Sequence, residues 1–190
     1  VWTLFPSEPN ERIARNFLYR AIDERSFLVM SETLPRNDHA LWRIDDPKAY
    51  EPAPRVGERY GFILRANPVM AVRAQDRRSI RVDAVMHAKQ AARIAKLPWG
   101  REEEEIAALD WLWKREAAIG VAFDHEGCHA RDYRQHRIGG KKRTDPIRFS
   151  SVDYEGVLSV TDPERFTAAL VNGIGKARAF GCGLMLIRRV

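Results

Sequence analysis

The chain has 190 residues, 45% of them hydrophobic and 31% charged, with a formal net charge of +6. That is enough for one large domain or two small ones with a real core, and no apolar run is long enough to cross a membrane. Two distant cysteines, Cys128 and Cys182, exclude a disulfide framework and point to a reducing, cytoplasmic setting. The cations cluster at Arg73–Arg81, Arg131–Arg143 and Lys176–Arg189, an electrostatic footprint for a polyanion. Nucleic acid leads over an acidic membrane surface, because no basic amphipathic helix accompanies the clusters.

Val1 to Phe5 reads as the end of an element, and without an initiator Met the chain is expected to lack its natural N-terminus. Pro9 and Asn10 open an expected helix with Ile13, Phe17, Leu18, Ala21 and Ile22 on one face and Arg12, Arg15 and Arg20 on the other. Phe27 to Met30 suits a strand. Pro35 to Pro54 is a proline-punctuated connection in which Trp42 and Ile44 form at most a short strand. Arg59 to Arg65 alternates, with Tyr60, Phe62 and Leu64 facing one way. Asn67-Pro68 breaks that strand, and Val69 to Val72 resumes an apolar run. Gln75 to Ser79 is a charged turn that divides the chain into units 1–78 and 79–190.

Ile80, Val82 and Ala84 then alternate with Arg81 and Asp83 in a further strand, and Ala88 to Ala95 favours helix. Arg101 to Ile119 is a helix with Ile106, Leu109, Leu112 and Trp113 as its core stripe. Glu102 to Glu105 read as a solvated face at its positive end. Ala122 to Ile138 carries His125, His129 and His136. His125, Cys128 and His129 together offer a zinc reading, disfavoured because Gly127 interrupts the segment and the flanks look like a strand pair. The favoured reading is a basic hairpin in which Arg131, Arg134 and Arg137 lead through Gly139-Gly140 to Lys141, Lys142 and Arg143. A cationic ribbon of that kind grips nucleic-acid phosphates. A flexible charged loop is the alternative.

Ile147 to Val160 is the longest strand-like stretch, with Gly156 hinting at a bulge. Asp162 is an N-cap, Pro163 fits the first helical position, and Phe166, Ala169 and Leu170 form an apolar face up to Gly173. Gly173 to Gly183 then reads Gly-Ile-Gly-Lys-Ala-Arg-Ala-Phe-Gly-Cys-Gly before a buried strand, Leu184 to Ile187. Two readings stand for this loop: a phosphate cradle using main-chain N–H groups with Lys176 and Arg178, or a tight helix-to-strand turn. From Ile80 onward the order is strand, helix, strand, strand, helix, strand, the ferredoxin-like (RRM-like) βαββαβ pattern. The first half reads as a diverged copy lacking its first strand, so the fold class is α+β with tandem ferredoxin-like domains.

Four stretches, Trp2-Thr3-Leu4-Phe5-Pro6, Leu64-Arg65-Ala66-Asn67-Pro68, Tyr154-Glu155-Gly156-Val157-Leu158 and above all Gly173 to Leu184, resemble the CasE-type CRISPR repeat-processing endoribonucleases of type I-E (Cascade) systems. The resemblance implies binding of a CRISPR repeat RNA stem-loop and cleavage at the base of the stem. It also implies retention of the product alongside the other Cascade subunits. RNA contacts are then expected from Arg131, Arg134, Arg137, Lys141, Lys142, Arg143, Lys176 and Arg178. The implied reaction uses no metal or other cofactor: a ribose 2′-hydroxyl attacks the adjacent phosphate, with a histidine and a tyrosine moving protons. In the family these two lie just upstream of the Trp-x-Leu-Phe-Pro motif, hence before Val1. None of His39, His87, His125, His129 or His136 matches, so no catalytic residue is assigned and the chain as written is expected to bind better than it cuts. A non-catalytic RNA-binding module is the alternative function.

Overall fold

The computed structural model describes residues 1–5, 16–73, 78–139 and 146–190. Its centre is an antiparallel sheet built from β3 (Arg59–Ala66), β6 (Val121–Phe123), β7 (His129–Ile138), β8 (Ile147–Val160) and β9 (Met185–Arg189). The order is β6-β8-β3-β9, with β7 pairing the other end of β8. One face is covered by α2 (Arg101–Trp113) and α4 (Pro163–Asn172). Along the chain these elements run β3, α2, β6, β7, β8, α4, β9; β6 and β7 both pair with β8 and share one strand position, which leaves the strand, helix, strand, strand, helix, strand order of the ferredoxin-like unit. The α+β, tandem ferredoxin-like plan thus holds, but the strands are assigned differently from the sequence expectation.

The first strand of this unit is β3, not Ile80 to Ala84. Strand β5 (Ser79–Asp83) instead pairs with β4 (Val69–Arg73) in a separate two-stranded ribbon. Period-two patterning reports that a segment is extended but carries no information about its partner. The division at 78/79 consequently cuts between β3 and the strands it pairs with, β8 and β9.

Alternation in β3 is as the sequence predicts. Tyr60, Phe62, Leu64 and Ala66 are buried and meet Leu158, Gly156, Tyr154 and Val152 of β8 in register. Against this face α2 packs Ala108, Leu109, Trp111 and Leu112, and α4 packs Phe166 and Leu170. Trp111 stacks on Tyr154 with centroids 5.9 Å apart. Burying side chains of this size stabilises by roughly 1.5–3 kcal/mol each. Ile106, placed in the core stripe by periodicity, is 54% exposed, and Trp111 takes the inward position. The long helix expected to Ile119 breaks after Trp113 and restarts as α3 (Glu116–Ile119). At its start the glutamates are more than a solvated face: Glu103 Oε2 accepts from the Gly100 N–H at 2.7 Å, and Glu105 Oε1 accepts from the Ala130 N–H at 3.2 Å. Helix α1 (Ala84–Ala95) is N-capped by Asp83, whose carboxylate accepts from the Met86 N–H at 2.8 Å.

Phe17 to Ala21, expected within a helix, is a strand. This β1 (Phe17–Ala21) pairs antiparallel with β2 (Phe27–Ser31). Residues 9–15 of that expected helix fall outside the described residues. A small second core of Leu4, Phe5 and Phe17 lies under this ribbon, with Tyr19, Val29 and Trp42 packed against it. The aromatic residues Phe17 and Tyr19, and the pairing with β2, override a spacing that also fits a helix.

Candidate nucleic-acid interface

Strand β7 carries most of the described candidate residues. It is paired on one side by β8, and its register slips by one residue between Arg131 and Arg134. Asp132 sits there in the left-handed region, φ 54°. The bulge therefore lies in β7; Gly156, where the sequence hinted at one, pairs regularly with Phe62. Gly156 answers a different need: a Cβ there would stand 2.5 Å from the Cys128 Sγ. The bulge sets which side chains share a face. Arg131 lies beside Asp153, Arg134 beside Ser151 and His136 beside Phe149, whereas Gln135 lies beside Ser150 and Arg137 beside Arg148. Bulges commonly re-aim side chains in this way at sheet edges.

The face shared by Arg131, Arg134 and His136 is opposite the helices and is the one on which β1 sits. Asp153 there holds two guanidiniums. Arg65 donates to it through Nε at 2.9 Å and Nη2 at 2.5 Å, and Arg20 of β1 through Nη2 at 3.3 Å. Burial pushes the Arg20 guanidinium down from its ordinary pKa, with Asp153 opposing; hydrogen bonding to Asp153 pushes Arg65 up. The two directions differ because Arg20 is the more enclosed and Arg65 takes the better bonds. His136 stacks on Phe149 at 4.5 Å, Phe149 stacks on Phe180 at 4.7 Å, and the His136 Nε2 is 2.8 Å from the Ser151 Oγ. Burial first, then the charges of Arg65 and Arg134, lower the His136 pKa.

Arg131, Arg134 and Arg137 are all exposed. Arg131 touches Glu155 at 3.1 Å and Arg134 touches Asp132 at 3.6 Å, surface pairs that hold little energy and yield readily to a phosphate. Behind them, Tyr133 donates to Asp83 at 3.1 Å, and the Ser150 hydroxyl also donates to that carboxylate. Burial pushes the Tyr133 phenol up to about 12. Asp83 thus ties the start of α1 to the base of the basic hairpin. Lys141, Lys142 and Arg143 lie outside the described residues.

The glycine-rich loop is organised around its own contacts. The Ile174 N–H donates to Gly183, the Gly183 N–H to Arg65, and the Gly181 N–H to Arg178, so these N–H groups point inward. Arg178 donates through Nη2 to the Gly173 carbonyl at 2.9 Å and through Nε to the Gly175 carbonyl at 3.3 Å. Lys176 is exposed and bridges to Asn67 through the backbone. Gly183 has φ 97°, and a Cβ there would lie 3.0 Å from the Ile174 carbonyl oxygen. A Cβ on Gly173 would lie 2.8 Å from Leu18 of β1. The Ala179 carbonyl accepts from the Tyr19 hydroxyl at 2.9 Å. These glycines let the loop pack closely between the first ribbon and the main sheet, the turn reading of the sequence made into a joint.

The three zinc-reading residues are committed elsewhere. His125 stacks on Trp113 at 4.2 Å and meets Glu116 at 3.0 Å, His129 meets Glu105 at 3.3 Å, and Cys128 is buried against Gly156. Among the described residues no group of three or more His, Cys, Asp or Glu is placed to hold a metal ion. None of their helices is long and apolar enough to cross a membrane. Sequence reasoning missed Arg20, Asp153, Phe149 and Phe180. Arg65 was visible only as part of a motif, and nothing local marks residues that meet across 133 positions.

The sequence pattern of a family described as CRISPR associated protein matches residues 1–189. The chain is 28% identical to the CRISPR system Cascade subunit CasE of Escherichia coli (strain K12), over 97% of this chain and 86% of that one. It is 29% identical to the CRISPR-associated endoribonuclease Cse3 of Thermus thermophilus, over 84% and 72%. A solved structure of CRISPR endoribonuclease Cse3 bound to a 19-nucleotide RNA superposes with a TM-score of 0.64 at 25% identity, covering 91% of this chain and 80% of that one. With the fold, the joint and the basic strand in place, the chain belongs to the CRISPR-associated protein family and, within it, to the CasE type.

Proposed function

We propose that this protein binds the stem-loop of a CRISPR repeat RNA, cleaves the precursor, and stays on the product as a Cascade subunit in the cytoplasm. The observation that carries the reading is the exposed cationic strand β7, aimed by its bulge and braced by Asp83, on a chain whose relatives are CRISPR endoribonucleases. Arg131, Arg134 and Arg137, continued by Lys141, Lys142 and Arg143, grip stem phosphates. An A-form stem hides its base edges in a deep, narrow groove, so charge and shape dominate there. Lys176 adds a cation at the loop. Arg178 contributes by fixing the loop backbone, since two of its donors serve loop carbonyls. The boundary between the two units falls ahead of Arg59, which keeps β3 with its partners.

The reaction is 2′-hydroxyl attack on the adjacent phosphate, giving a 2′,3′-cyclic phosphate and a 5′-hydroxyl end, with no metal in the step. Incubation of repeat RNA with the full-length protein in excess chelator, with both ends of the cut identified, tests it. Cleavage to those ends is expected. Chelator-sensitive cutting overturns the mechanism, and tight stem-loop binding without cutting supports a pure RNA-binding module instead.

A further inference from the structure

The three-ring column of His136, Phe149 and Phe180 is not needed by stem binding. It starts at the glycine-rich loop and runs outward to β7, with interplanar angles of 16° and 18°. His136 is its outer ring, and among the described residues no fourth ring continues the stack beyond it. All three rings are only partly buried. Strand β7 pairs with β8 alone, so the column ends at an open edge of the sheet among the described strands.

The surroundings are cationic. Arg134 is two residues before His136 on the same face, about 7 Å away by strand rise, and its side chain is 69% exposed. Arg65 lies close enough to act on the same imidazole. The carboxylate between Arg65 and Arg20 is shared by both, and the Arg20 Nη1 is buried with no hydrogen-bond partner among the described residues. Flat rings ending in the open beside surplus guanidiniums suit one ligand chemistry: a nucleobase with its own phosphate. Stacking platforms beside positive grooves are how proteins hold unpaired nucleotides. A base pair inside a duplex is already stacked on both sides and has no free face to offer.

We infer that the open end of the His136–Phe149–Phe180 column is a stacking site for one unpaired nucleobase next to the repeat stem, with Arg134 on the phosphate that joins that nucleotide to the stem. The inference rests on the RNA-binding reading above and adds a position for the single-stranded flank. The Ser151 hydroxyl sets the tilt of His136 through its Nε2, making Ser151 a positioning residue.

The test uses two RNAs with the same stem-loop, one blunt and one carrying unpaired flanks with 2-aminopurine next to the stem. Quenching of the 2-aminopurine on binding is expected with the wild-type protein. His136→Ala should abolish the quench and weaken the flanked RNA by about 5- to 100-fold, while the blunt RNA changes by less than about 2-fold. His136→Phe keeps a ring and should retain the quench, although it loses the bond to Ser151. Equal weakening of both RNAs by His136→Ala, or a wild-type complex with no quench, overturns the inference while leaving stem binding intact. Failure of both RNAs to bind the wild-type protein would sink the RNA-binding reading itself, and this site with it.

Discussion

Asp153 is the residue whose loss the structure most clearly penalises. Its side chain is 23% exposed, that of Arg20 12% and that of Arg65 36%. Asp153→Ala leaves two guanidiniums facing one another, with Arg20 nearly enclosed. Breaking a buried ion pair costs about 3–5 kcal/mol. Arg65 is open enough for water to screen its share, which puts the expected loss at the lower end, about 3 kcal/mol. For a chain of this length that lowers the melting temperature by about 6–12 °C. Urea and thermal unfolding read it directly. If the stranded charge is the cause, Arg20→Met placed on Asp153→Ala should recover about 1–2 kcal/mol, since an apolar side chain of similar volume needs no partner. A single variant within about 0.5 kcal/mol of wild type, or a double variant less stable than the single, would refute the reasoning.

Three further outcomes are expected. Arg134→Ala with Arg137→Ala should reduce the slope of log K against log salt for stem-loop binding by roughly 1.4–1.8, and an unchanged slope would take β7 off the phosphates. Arg178→Ala should leave that slope alone yet lower stability by about 1–3 kcal/mol through its lost bonds to Gly173 and Gly175, as denaturant titration would show. Burial pushes the Cys128 thiol up to about 11 and the Cys182 thiol up to about 12, from a usual value of 9.0. Both are protonated when folded at pH values where the unfolded chain would ionise them. Their contribution is therefore complete below pH 9 and is lost as the pH rises towards 11–12, so Cys182→Ala should flatten the alkaline fall in stability. A thiol-reactive dye should label neither cysteine until denaturant is added.

Local physics made much of this protein legible in advance. The cap at Asp162 and Pro163 fixes the start of α4, alternation fixes β3 and β8, and the glycine spacing marks a place where backbone must come close to something. The basic run ending in Gly139 indicates a polyanion whatever the fold around it. Pairing was beyond reach of those signals. Ile80 to Asp83 and Arg59 to Arg65 both read as strands, and only the assembled sheet decides that β3 is central while β5 leaves it for a small ribbon. The single-residue bulge at Asp132 likewise leaves no mark in the pattern, yet it determines that Arg134 and His136 share a face with Asp153 and Phe149. The aromatic column and the Arg20–Asp153–Arg65 cluster join residues far apart in the chain. Composition and periodicity act over a few neighbours, whereas such contacts exist only after β1, the glycine loop and the main sheet have closed on one another.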